Sequence, residues 1–256
     1  MTEFVKRNPV APPGFFACEA AGLRWLADAG GAACVPVLGW DATSLTLTRL
    51  ETVTPTPRAA GDFGAQLAVT HDAGAAAFGA GPDDWDGPGF FGPLHEPLPM
   101  SLTAHRTWGE FYADERLGPM GERAAPRLSG SARDAVAAVR ELCRAGRFDD
   151  GDVAARLHGD LWSGNLMWTP DGVVLIDPAA HGGHRETDVA MLALFGCPHL
   201  DEVVAGYRSV RPLTDGWQER TALHQLYPLL AHVVLFGGAY ARQTESALAA
   251  ALRSAS

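Results

Sequence analysis

His158-Gly159-Asp160-Leu161-Trp162-Ser163-Gly164-Asn165 is the stretch on which the reading of this sequence turns. Downstream of it, Thr169-Pro170-Asp171-Gly172 is a turn signal between two short apolar runs. The second run, Val173-Val174-Leu175-Ile176, ends at Asp177. The order loop, strand, turn, strand, carboxylate predicts a hairpin that returns Asp177 to the side of Asn165.

That order has a chemical meaning. Phosphoryl transfer needs an acceptor hydroxyl held in line and a metal that neutralises the phosphate oxygens. In kinases one Asp receives the hydroxyl proton, and a downstream Asn and Asp hold Mg²⁺. The spacing H-x-D-x-x-x-x-N followed by a strand-borne Asp matches this pattern. Either half alone is weak; the two in order, joined by a hairpin, are specific. The competing readings are a polar turn with incidental carboxylates and a transition-metal set of His181, His184 and Asp177. Ser163 lacks the G-x-S-x-G frame of a hydrolase nucleophile. His71-Asp72 reads as the end of a helix without a catalytic role.

Outward from this segment, residues 4–7 read as a short strand and 15–29 as a helix with an apolar face, ended by Gly30-Gly31. Residues 35–40 and 44–50 read as two strands around an Asp41-Ala42-Thr43 turn. A Thr- and Pro-rich connector over 52–58 sets a lobe boundary near residue 52. Beyond it come a helix over 60–78, a long loop over 79–99 and helices over 107–117 and 131–145. After Glu186 the chain reads as mostly helical. Trp85, Phe90 and Phe91 in the long loop are candidates to line an acceptor pocket. The layout is α+β and bilobal. Residues 1–52 form a small lobe of a few antiparallel strands and one helix, and 53–256 form a larger helical lobe.

The formal net charge is -10, and no basic run offers a nucleic-acid surface. No uninterrupted apolar run reaches the roughly 18 residues of a membrane span. The four cysteines are scattered without a CxxC pair, as expected of reduced thiols in a cytoplasmic protein. Of the 20 basic residues, Lys6 alone is lysine, which singles it out, since arginine does not replace an ammonium in every role.

The stretch HGDLWSGN, followed by LIDPAAHGGHRETDVAM, closely resembles the fructosamine/ketosamine-3-kinase family, which is related to aminoglycoside phosphotransferases. FVKRN and FFACEAAGLRWL near the start, residues 81–87 and residues 108–117 resemble it too. The resemblance implies a protein-kinase-like fold and an ATP- and Mg²⁺-dependent transfer to a sugar-derived hydroxyl of a ketosamine, free or on protein amines. It implies that Asp160 is the catalytic base and that Asn165 and Asp177 are Mg²⁺ ligands. Lys6 would contact the ATP phosphates and pair with Glu19, while His158 and Asp188 would brace the catalytic loop. Trp162 is weighed as a wall for the sugar against plain core packing.

Two departures from the family pattern stand out. The chain starts five residues before Lys6, too few for the family's glycine-rich hairpin, so weak ATP binding and an exposed strand edge are expected. Pro178-Ala179 follow Asp177 where protein kinases have Phe-Gly, which disfavours a kinase regulated through an activation loop. The other readings are a kinase for another small molecule, such as an aminoglycoside-like compound, and a catalytically weak pseudokinase that only binds. The expected state is a monomer or weak self-association through the strand edge.

Overall fold

The structure, a computed structural model, describes residues 2–255. It opens with β1 (Glu3–Arg7), α1 (Phe15–Ala27), β2 (Ala33–Cys34), β3 (Val37–Trp40) and β4 (Ser44–Thr48). β1, β4 and β3 form an antiparallel sheet in that order, with Lys6 opposite Leu45. β4 alternates as a half-buried strand must: Leu45 and Leu47 are buried, while Thr46 and Thr48 between and beyond them are half-buried. Of the strand expected over 35–40, only Val37–Trp40 forms, because Pro36 lacks the N–H to join a ladder. β2 leaves this sheet and pairs in parallel with a strand of the segment around the 158–165 loop, so the two lobes share a sheet as well as a core.

The helix expected over 60–78 is α2 (Pro57–Asp72). It starts earlier because Thr56 caps it, accepting from the Ala59 N–H, with Pro57 at the first position. It stops earlier because Gly74 turns the chain at φ +73°. The apolar residues 75–78 serve instead as a bridge, where Phe78 pairs with His105.

Within the expected loop over 79–99 lies a hairpin, β5 (Gly89–Phe91) and β6 (Leu98–Met100). The helix expected over 107–117 begins as α3 (Trp108–Phe111) and widens to π geometry over Tyr112–Leu117 before α4 (Gly118–Ala124). Pro119 explains the widening, because it cannot donate to the carbonyl four residues back. That carbonyl, of Glu115, accepts instead from the Arg116 guanidinium at 3.1 Å. α5 (Gly130–Arg144) follows, capped by Ser129.

The segment around the 158–165 loop is built from β7 (Ala155–Leu157), β8 (Leu166–Thr169), β9 (Gly172–Leu175) and β10 (His181–Gly183). β8 and β9 are the expected hairpin, and β9 is the parallel partner of β2. β10 returns antiparallel to β7 and closes the segment like a clasp, with His181 opposite Leu157. Five helices complete the chain: α6 (Glu186–Leu194), α7 (Leu200–Val210), α8 (Trp217–His224), α9 (Leu226–Phe236) and α10 (Ala241–Ser254).

α2 lies very close to α7. A Cβ on Gly64 would stand 1.9 Å from the Val203 carbonyl oxygen, and one on Gly206 would stand 2.0 Å from that of Gly61, so only glycine permits this approach. The stretch Trp217–Ser254 is long and apolar enough to cross a membrane by length and composition, although polar residues interrupt its apolar run. Half of its apolar window is buried within the protein, where α9 packs on α4 and α10 packs on α5.

Candidate active site

Leu161 is fully buried among Phe63, Leu192 and Tyr207, which fixes the centre of the 158–165 loop to the helical core. Burial of such a leucine contributes about 1.5–3 kcal/mol. Its neighbours Asp160 and Trp162 are thereby turned to the cleft. The β8–β9 hairpin then sets the next residues: Leu166 pairs with Leu175, and the Ile176 N–H donates to the Asn165 carbonyl at 3.2 Å. Asp177 comes to lie beside Asn165, as the loop–strand–turn–strand order requires.

Asn165 donates through its amide nitrogen to the backbone oxygens of Asp160 at 2.8 Å and Asp177 at 3.4 Å. The amide oxygen is then the atom a cation would meet. Asp177 holds φ at +55°, a left-handed conformation that is costly for a residue with a side chain and that recurs at functional sites. The Lys6 ammonium joins the two lobes. It donates to both Glu19 oxygens at 2.7 and 2.8 Å and to Asp177 at 2.9 Å. Burial alone would lower the Lys6 pKa, but the carboxylates of Glu19 and Asp177 outweigh it and hold it above its usual value. Burial pushes the Glu19 carboxyl above its usual range despite that ammonium.

Asp160 is strongly displaced from ordinary carboxylate behaviour. Its pKa is pushed up to about 7, chiefly by burial and then by the charges of Asp177 and Asp188. Such a value suits a proton acceptor working near neutral pH.

Beneath the loop, Asp188 accepts from the His158 N–H at 2.8 Å and the Gly159 N–H at 2.9 Å. Burial would raise its pKa, but the hydrogen bond from His71 and the loop donors outweigh it and hold it low. His158 is fully buried; its Nε2 bonds the Ile176 carbonyl at 2.8 Å, and its Nδ1 accepts from the Asp160 N–H at 3.2 Å. The imidazole therefore ties the loop to the end of β9.

A cavity of about 500 Å³ collects Lys6, Glu19, Asp160, Trp162, Asn165 and Asp177. Trp162, 39% exposed, lies across Gly164, where a Cβ would stand 2.2 Å from the indole. Phe90 and Phe91 line the cavity as expected. Trp85 does not; its indole N–H donates to the Pro88 carbonyl at 3.2 Å, and it packs against Gly87. Sequence reasoning missed Phe195, His232, Phe236 and Tyr240 on the far wall. The signal available was the aromatic spacing of the 232–240 segment.

The transition-metal reading of His181, His184 and Asp177 does not hold geometrically. His181 Nδ1 bonds the Ala179 carbonyl at 2.8 Å, and His184 turns away to Asp150. His184 does gather with Glu186 and His224 in a buried group. There Arg220 already spans both Glu186 oxygens at 2.9 and 2.6 Å, and His184 Nδ1 accepts the Glu186 N–H.

The architecture and this arrangement define the class: a bilobal protein of the protein-kinase-like fold. A solved aminoglycoside phosphotransferase, 20% identical, shares that fold at a TM-score of 0.60 over 98% of this chain. The sequence profile of fructosamine kinase matches residues 2–254, and the chain belongs to that family of kinases. A Thermobifida fusca structure named as a fructosamine-3-kinase is 48% identical, with a TM-score of 0.89 over 98% of this chain and 85% of that one. A "Probable ketoamine kinase" of Enterococcus faecium is 30% identical over 96% of this chain and 86% of its own length. Another, from Synechocystis, is 35% identical over 75% of this chain, and the match spans 61% of that relative.

Proposed function

We propose that this protein transfers the γ-phosphoryl group of ATP to a hydroxyl of a ketosamine, the 3-hydroxyl of a fructosamine. The convergence of Asp160, Asn165, Asp177, Lys6 and Glu19 in one cavity carries the reading. Asp160 accepts the proton of the attacking hydroxyl. Lys6, oriented by Glu19, meets the phosphates from the 1–52 side of the cleft. Trp162 forms a wall for the sugar, and His158 and Asp188 hold the loop. Asn165 and Asp177 offer oxygen donors, and the surplus of carboxylate charge around one ammonium suits a hard cation. Mg²⁺ bound there would neutralise the phosphate oxygens.

The same reading places the protein in the cytoplasm, without nucleic-acid or membrane partners. It is a monomer, or associates weakly through the outer edge of β1, the end strand of its sheet.

The test is phosphate transfer from Mg·ATP to a free fructosamine by the parent and by Asp160→Asn. Turnover that vanishes in the variant is expected. Equal turnover in both proteins would remove Asp160 from its role, and phosphorylation of an aminoglycoside in place of the fructosamine would replace the acceptor.

A further inference from the structure

The support of the catalytic loop does not end at Asp188. The third group on that carboxylate is His71, whose Nε2 lies 3.1 Å from Oδ2. His71 stands in the last turn of α2 and is fully buried. Its other ring nitrogen, Nδ1, lies 2.8 Å from the Tyr207 hydroxyl on α7. That hydroxyl in turn accepts from the Arg185 guanidinium at 3.2 Å. Arg185 is buried too and is held by Asp152 at 2.6 Å and Asp72 at 2.9 Å.

The donors and acceptors fix a direction. The guanidinium can only donate, so the Tyr207 oxygen accepts from it, and with a neutral His71 whose hydrogen faces Asp188 the hydroxyl's own hydrogen goes to Nδ1. The hydrogen of His71 is then on Nε2 and donates to Asp188. The second oxygen of Asp188 is left to the Gly159 N–H, and Oδ2 also takes the His158 N–H. Every member of the chain is satisfied, and all except the outer carboxylates are removed from water. The approach of α2 to α7 through Gly61, Gly64 and Gly206 is what brings Tyr207 within reach of His71.

We infer that His71 and Tyr207 are positioning residues of the transfer reaction: through Asp188 they set the two amides immediately before Asp160 and thereby the aim of its carboxylate. Neither touches the cleft. This rests on the assignment of Asp160 as proton acceptor. A buried hydrogen-bonded chain of this kind rigidifies what it holds, and removing an outer partner of a reacting group costs activity without removing any contact to substrate.

The experiment compares the parent with His71→Leu, His71→Gln and Tyr207→Phe. Gln keeps an amide oxygen for Tyr207 and an N–H for Asp188. Two readouts are taken: steady-state kinetics with Mg·ATP and a fructosamine, and amide hydrogen exchange across residues 157–161. In His71→Leu, kcat falls about 10- to 100-fold with both KM values held within about threefold. The His158 and Gly159 amides exchange at least about tenfold faster, while the β3–β4 ladder keeps its protection. His71→Gln recovers kcat to within about fivefold and restores the protection. Tyr207→Phe, which removes only the hydroxyl, falls between the two.

A folded His71→Leu with parental kcat and parental loop protection overturns the inference, as does a Gln variant no better than Leu. Should His71→Leu fail to accumulate, Tyr207→Phe decides on the same readouts. If the parent does not phosphorylate a fructosamine, exchange still decides: loop protection lost in Leu and kept in Gln sustains the positioning role while the acceptor assignment falls.

Discussion

On the cleft face of the 158–165 loop, the carboxylates of Asp177 and Glu19 share the ammonium of Lys6, and Asp160 lines the same cavity with no cation of its own among the described residues. On its underside, the single carboxylate of Asp188 is met by two backbone N–H groups and His71. The pKa shifts follow: Asp160 and Glu19 are held above the usual carboxylate range, and Asp188 is held below it. Like charges left poorly compensated cost stability, and here they sit where a cation and phosphates would relieve them. Beneath the loop nothing remains to be supplied, so that side can set geometry. On the proposed function, the difference separates groups kept for ligands from groups kept for shape.

The largest effect expected from breaking the cleft side is on turnover. Asp160→Asn removes the proposed proton acceptor, and kcat for ketosamine phosphorylation falls about 10²- to 10⁴-fold. Its effect on stability has the opposite sign. The folded protein keeps a proton on Asp160 up to about pH 7, while the unfolded chain releases it near the ordinary carboxylate value, so stability drains away as pH rises between the two. Asn carries no such penalty. Thermal melts without Mg²⁺ therefore give Asp160→Asn a higher Tm than the parent at pH 8, with the gap closing towards pH 4.

The underside answers differently. Asp188→Asn replaces one acceptor oxygen with an N–H₂ that faces a donor, either a loop amide or His71. Leaving a buried donor unpaired costs about 1–3 kcal/mol. In a chain of this size each kcal/mol lowers Tm by about 2–4 °C. Melts of Asp188→Asn therefore fall by several degrees, and kcat drops with them because the loop loses its anchor. A variant as stable as the parent would mean that the underside is less constrained than its hydrogen bonds indicate.

Of these two sides, the cleft was the more legible in the sequence. Asp160, Asn165 and Asp177 are tied by local spacing across one hairpin, and turn chemistry exposes such spacing. Lys6 and Glu19 were reachable through the resemblance, and the structure brings them together. The underside was legible only at Asp188 and His158. His71 was read as an idle helix end, because nothing local marks a histidine whose partners are on α6 and α7. The far wall of the cavity carries a local mark, the aromatic spacing of 232–240, but α9 and the turn after it approach the loop only through tertiary packing, so the spacing alone does not place it there. Pro36 and Pro119 displaced element boundaries in ways that a period count does not see, whereas Thr56 and Gly74 carried ordinary end signals for α2 that an apolar count over 60–78 overrode.

Lys6→Met probes the ammonium on the cleft side. It removes the group that opposes ionisation costs at Glu19, whose pKa, already about 6, must rise further. A raised carboxyl costs nothing below its unfolded value; stability is lost as pH rises from there and levels off above its folded value, so raising the folded value further adds loss only at the higher pH. Urea melts at pH 5 therefore show little change from the parent. At pH 8 the buried Glu19 faces Asp177 without a counter-charge, and the loss approaches the roughly 3 kcal/mol typical of a broken buried pair. A loss of equal size at both pH values would assign the role of Lys6 to packing rather than charge.

The smallest expected effect is also the most direct measure of the crowding in the cleft. Asp177 is one of the charges that raise Asp160, after burial itself. Asp177→Asn removes that charge and leaves the hairpin and the burial of the loop in place. Ionising Asp160 then becomes easier, so its midpoint in the metal-free protein moves down from about 7, read by carbon NMR of the labelled aspartates. Burial and Asp188 still act, so the midpoint stays above the ordinary carboxylate range. A midpoint that does not move would show that burial alone sets Asp160, and the cleft would then differ from the underside in solvation rather than in unshared charge.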